Sequence, residues 1–98
     1  MEKRTPHCKL FVVHALVKAG KVRVTRSAMV GASELGFELE GMLDVVSALV
    51  PTDFYKSMTT HADRTVWQDV YRPSTRMGHV YFKLTIMDDV LIVSFTEL

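Results

Sequence analysis

The apolar positions change period once along the chain. From Leu10 to Leu49 they recur at helical spacing, and from Phe54 onward they alternate. Leu10, Val13, Leu16 and Val17 predict a first helix. Thr5-Pro6 reads as its start, because threonine caps and proline suits the first helical position, and Gly20 reads as its stop. Lys21–Thr25 alternates as a short strand. Thr25 can cap a second helix from Arg26 to about Leu35, closed by Gly36. Leu39, Met42, Leu43, Val46 and Leu49 form one stripe of a third helix, which Pro51 ends. Four strands follow, Phe54–Thr60, Thr65–Arg72, His79–Ile86 and Val90–Thr96, joined by short polar or turn-forming links. Helices first and strands afterwards predict an α+β fold, with the N-terminal helices packed on one face of an antiparallel β-sheet.

Alternation sorts the strand residues by face. Val80, Phe82, Leu84 and Ile86 share one face, opposite His79, Tyr81, Lys83 and Thr85. In the last strand, Leu91, Val93 and Phe95 oppose Val90, Ile92, Ser94 and Thr96. Lys56, Met58 and Thr60 share a face, opposite Tyr55, Ser57 and Thr59. Gln68 and Arg72 go with Val66 and Val70, opposite Trp67, Asp69 and Tyr71. The most apolar sets are expected against the helices. One arrangement then gathers Lys56, Gln68, Arg72 and Tyr81 on the open face. Two cations, an amide and a phenol there suit a phosphodiester. A polar solvent face is also ordinary for an antiparallel sheet.

Length and composition fit this picture. The 98 residues, 48% hydrophobic and 23% charged, are expected to form a single domain, residues 1–98, with one modest core. The lone Cys8 allows no internal disulfide and suggests a reducing compartment. No segment reaches the roughly 18 apolar residues of a membrane span. The run Leu10–Val17 weakly imitates a signal peptide, but His14 interrupts it and Lys18 ends it, so a cytoplasmic protein is expected.

The net charge of +1 seems to argue against nucleic acid, yet it conceals a segregation: residues 1–27 sum to +6 and residues 28–53 to −5. The basic N-terminal cluster reads as a solvated face or a binding patch.

The generic motifs are missing. There is no GxxxxGK[ST], GxGxxG or GxSxG. No metal site is expected. Cys8 has no CxxC partner, and His7 and His14, seven apart on the expected first helix, would be roughly 10 Å apart along its axis. His61 in a turn and His79 on a strand could exchange protons near neutral pH or be plain surface histidines.

Four blocks carry a family resemblance: Met1–His7 (MEKRTPH), Asp53–Thr60 (DFYKSMTT), Trp67–Pro73 (WQDVYRP) and Asp89–Phe95 (DVLIVSF). With them the whole chain resembles the MqsR family, the motility quorum-sensing regulator toxins, which are RelE-like messenger-RNA interferases. The resemblance implies a RelE-like microbial-RNase fold and a bacterial cytoplasmic toxin. It also implies cleavage of mRNA at GC-containing sites without the ribosome. The implied partner is an MqsA-like antitoxin with a zinc-binding domain and a helix-turn-helix domain, the zinc belonging to the antitoxin.

The family's active-site positions correspond to Lys56, Gln68 and Tyr81. Tyr55, Met58 and Arg72 fall in matching blocks as RNA contacts, and His79 is a rival acid–base group beside Tyr81. A well-studied member has a lysine where this chain has Thr96. That departure leaves open a second reading, a catalytically weakened homologue that binds antitoxin and nucleic acid. Clustered cations are expected to lower the pKa values of both Lys56 and Tyr81.

Overall fold

The computed structural model describes residues 1–97, leaving Leu98 outside the described residues. In chain order the elements are β1 (Glu2–Lys3), α1 (Leu10–Lys18), β2 (Val22–Val24), α2 (Arg26–Glu34), α3 (Leu39–Ser47), a 3₁₀ turn at Pro51–Asp53, β3 (Phe54–Thr59), β4 (Trp67–Tyr71), β5 (Ser74–Thr75), β6 (Gly78–Met87) and β7 (Asp89–Glu97). The fold is α+β, as the pattern of periods predicts. The seven-stranded sheet runs β1-β3-β4-β6-β7-β2, with β5 paired to β6.

The sheet is mixed rather than antiparallel. β2 lies parallel to β7, Val22 opposite Val90 and Val24 opposite Ile92. Such pairing needs a long crossover; here about two thirds of the chain intervenes, so no hairpin signal announces it.

The helices form where local signals converge. The Thr25 hydroxyl accepts from the Ala28 N–H at 3.1 Å, capping α2 as expected. Gly20 at φ +76° and Gly36 at φ +87° take the left-handed conformations that close α1 and α2. Gly31 lets α2 touch the sheet: a Cβ there would run into the Phe95 carbonyl oxygen.

The start of α1 departs from expectation. Thr5-Pro6 opens no helix, and α1 begins only at Leu10, with Lys9 at its N-cap and no side-chain cap bond. The preceding residues are claimed by distant partners. Glu2 and Lys3 pair with β3, and the N–H groups of His7 and Cys8 donate to the Asp69 carboxylate, each at 3.0 Å. His7 therefore lies off the helix that carries His14.

The core fills the space between the helices and one sheet face. Val13 of α1, Ala28 and Ala32 of α2, and Met42 and Val46 of α3 meet Tyr71, Val80, Phe82, Leu84, Val90, Ile92 and Phe95 of the sheet. Phe82 stacks between Tyr71, centroids 5.8 Å apart, and Phe95, at 5.7 Å.

Two β-bulges break the simple alternation. In β7, Lys83 faces Ser94 while Leu84 faces Ile92, so Val93 is the extra residue. Beyond it the parity flips. The inward set is Val90, Ile92 and Phe95, not Leu91, Val93 and Phe95. The Thr25 hydroxyl donates to the Val93 carbonyl at 2.7 Å, so the bulge and the α2 cap are one structure. In β3, Phe54 faces Tyr71 while Lys56 faces Val70, leaving Tyr55 as the extra residue.

Candidate active site

The sheet face away from the helices is built by β3, β4, β6 and β7. Lys56 stands opposite Val70, Val70 opposite Lys83, and Lys83 opposite Ser94. Met58 stands opposite Gln68, and Tyr81 opposite Thr96. Directly paired residues project to the same side of a sheet. Lys56, Met58, Gln68, Lys83 and Tyr81 therefore share one surface, each half-buried. Val70 at its centre has no exposed area, yet stands outside the helical core. Its neighbours' long side chains shield it, as amphipathic stems do.

The bulge in β3 decides what sits beside Lys56. Plain alternation would send Tyr55 to the helical side with Ser57. As the extra residue it turns to the open side, where Phe54 leaves it to pack against Tyr71 in the core. The Tyr55 ring meets Tyr81 edge to face at 6.4 Å. The Arg72 guanidinium lies 3.8 Å from its centroid, the Lys56 Nζ 5.3 Å and the Arg4 guanidinium 5.7 Å. An aromatic ring ringed by cations suits a phosphate chain with bases that stack.

The structure thus brings together Lys56, Arg72, Tyr55 and Tyr81, with Gln68 and Met58 on the same surface one ladder step away. His79 is more peripheral. It is exposed near the start of β6, opposite Ser74 of β5. Thr96, opposite Tyr81, donates its hydroxyl to the Tyr81 carbonyl at 3.3 Å, so position 96 borders the site.

Sequence reasoning missed two neighbours of this cluster, Arg4 over the Tyr55 ring and Glu2 beside Lys56. The Glu2 carboxylate lies 2.5 Å from the Lys56 Nζ. The expected lowering of the Lys56 pKa does not occur. The Glu2 hydrogen bond pushes it above the ordinary lysine value, although burial opposes this. The same bond holds the Glu2 carboxyl below the usual carboxylate range. Lys56 is therefore a firmly charged cation and a poor base at neutral pH. Nothing in the local sequence links positions 2 and 56; only the β1–β3 pairing does.

A cavity of about 730 Å³ lies elsewhere, between α3 and the β5–β6 turn. Glu38, Glu40, Asp44 and Asp53 line it against a single Arg76. That balance repels phosphate, so the shallow open face is the better candidate. Among the described residues, no group of three or more His, Cys, Asp or Glu could hold a metal ion, and no helix is long and apolar enough to cross a membrane.

Comparison with known proteins gives two findings. The family described as motility quorum-sensing regulator, toxin of MqsA, matches residues 5–97. The mRNA interferase toxin MqsR of Escherichia coli (strain K12) is 59% identical over 97 residues, covering 99% of each chain.

Proposed function

Since the chain belongs to the family of motility quorum-sensing regulator toxins, we propose that the open sheet face is the place where it cuts messenger RNA. The protein is the endoribonuclease toxin of a toxin–antitoxin pair, an mRNA interferase. The non-catalytic alternative is not favoured by a relative this similar that is itself named an interferase.

The carrying observation is the convergence of Lys56, Arg72, Tyr55 and Tyr81 on one surface. RNA brings its own nucleophile, the 2′-hydroxyl. Its oxygen attacks the adjacent phosphorus, the bond to the 5′-oxygen breaks, and the products are a 2′,3′-cyclic phosphate and a 5′-hydroxyl. The protein must move two protons and steady the crowded phosphorane. Lys56 and Arg72 supply fixed positive charge to the phosphorane oxygens, which is electrostatic stabilisation. Tyr81 transfers a proton, and Gln68 orients the ribose or phosphate. Tyr55 and Met58 pack against bases. His79 borders the RNA path. With Lys56 held charged by Glu2, proton transfer falls to the phenol.

Cleavage at GC-containing sites without the ribosome, a cytoplasmic location and a zinc-binding, helix-turn-helix MqsA-like antitoxin complete the proposal. Purified protein incubated with GC-containing RNA and EDTA, without ribosomes, tests it. Fragments ending in cyclic phosphate are expected, with at least about 100-fold less cleavage by Lys56→Ala. Intact RNA in both samples would refute the reading.

A further inference from the structure

The first eight residues run along the sheet edge and are fastened at both ends. At one end Glu2 and Lys3 pair with Met58 and Ser57 of β3, and the Thr59 N–H donates to the Met1 carbonyl at 3.0 Å. At the other, the His7 and Cys8 N–H groups share the Asp69 carboxylate, which is 2% exposed.

Strand geometry sends successive side chains to opposite faces. Lys3 goes to the helical side, its Nζ 4.2 Å from the Trp67 ring centroid and 3.0 Å from the His7 Nδ1. Glu2 goes to the open side, where its Oε1 accepts from the Lys56 Nζ. Arg4, two residues on, brings its guanidinium over Tyr55. The same ring is faced by Lys56 and Arg72. Two of this segment's three charged side chains, Glu2 and Arg4, therefore point into the proposed site, and they do so because the backbone is tied down beyond them.

We propose that the segment is part of the cleavage site, with Arg4 contacting an RNA phosphate and Glu2 acting as a positioning residue for the Lys56 ammonium. The inference rests on reading the open face as the site of cleavage. Lys56 reaches the surface on a flexible four-carbon stem with many rotamers. A carboxylate on the neighbouring strand holds that stem in one place before RNA arrives, so the charge is already set when the phosphorane forms. The same carboxylate competes with the incoming phosphate for the ammonium. Glu2 thus weakens ground-state binding while raising turnover. Arg4 has no carboxylate partner among the described residues, so its charge is available to phosphate.

Three variants of the full chain test this: Arg4→Gln, Glu2→Gln and, as a control on the opposite face of the same segment, Lys3→Gln. Binding is read with a 2′-O-methyl oligoribonucleotide, which lacks the nucleophile, across about 50 to 200 mM salt. Turnover is read separately with cleavable RNA. Arg4→Gln is expected to weaken binding several-fold and to flatten the log Kd against log salt slope by about 0.7. Glu2→Gln is expected to bind a few-fold tighter yet turn over about tenfold more slowly. Lys3→Gln is expected to change neither. If Arg4→Gln or Glu2→Gln behaves like Lys3→Gln, the proposal is overturned. Failure of the wild type to cleave would instead refute the nuclease reading, because the Arg4 salt slope and the Glu2 affinity change are measured on an oligonucleotide that cannot react.

Discussion

Tyr71 and Tyr81 lie on adjacent strands of one sheet, and they could hardly be used more differently. Tyr71 points to the helical face, has no exposed area and packs against Phe54 and Phe82. Its hydroxyl is buried without a partner among the described residues. Tyr81 points to the open face, is half-buried and meets Tyr55 beside three cations. The residue type is the same, and the face alone decides whether the phenol is a packing body or a chemical group. On the helical face, stability depends on filled volume. On the open face, the long side chains cost the fold little when removed, and RNA cleavage is the role proposed for them.

The two faces therefore respond differently to substitution. The largest effect is expected at Phe82, stacked between Tyr71 and Phe95. Phe82→Ala is expected to cost about 3–5 kcal/mol in chemical denaturation. Cleavage by whatever fraction remains folded should persist. Normal stability with lost cleavage would place Phe82 on the functional side and break the comparison.

The mirror-image case is Tyr81→Phe. About 100-fold slower cleavage is expected, the lower end for losing a proton-transfer group, with a melting temperature within a degree or two of the wild type. His79→Ala is expected to retain most activity, since His79 sits beside β5 rather than at the Tyr55 cluster. Full cleavage by Tyr81→Phe together with loss in His79→Ala would transfer the role to the histidine.

Gly31→Ala probes how closely the helical layer is pressed on the sheet. Alanine favours a helix over glycine by about 1 kcal/mol, but its Cβ would meet the Phe95 carbonyl. Backbone cannot yield as a side-chain tip can, so the clash wins. A net loss of about 1–3 kcal/mol is expected, a fall of several degrees in Tm. A rise in Tm would show that α2 has room to move.

The sequence shows most where signals are local. Thr25 caps α2 because a threonine followed by a helical pattern needs nothing distant. Lys56, Gln68 and Tyr81 are legible as one surface because each lies on a strand, and Arg72 follows directly on the last residue of β4. What escapes depends on partners far along the chain. The bulges at Tyr55 and Val93 carry no glycine to announce them, and each reverses the parity of its neighbours; Tyr55 reaches the site only by that reversal. Thr5-Pro6 is a fair helix start, overruled when β3 and Asp69 claim the residues around it. The β2–β7 pairing and the Glu2–Lys56 contact span most of the sequence, and no periodicity reports a contact of that range.

The smallest effect, and the sharpest contrast with Tyr81→Phe, is expected from Tyr71→Phe. The hydroxyl removed has no partner to lose among the described residues, so unfolding free energy near neutral pH should stay within about 0.5 kcal/mol of the wild type or rise, because an unsatisfied buried polar group is relieved. Alkaline pH supplies a second readout. Burial, with Asp69 nearby adding to it, pushes the Tyr71 phenol far above the ordinary tyrosine value. Above about pH 10 the unfolded chain loses this proton while the folded chain keeps it. Stability then falls with rising pH, by up to about 1.4 kcal/mol per unit from this group. Tyr71→Phe removes that contribution, so its stability should decline less steeply than the wild type's from pH 10 upward, the two curves converging below it. Parallel curves across that range would mean that Tyr71 ionises freely in the folded protein, and the distinction between a packed tyrosine and a chemical one would then rest on Tyr81 alone.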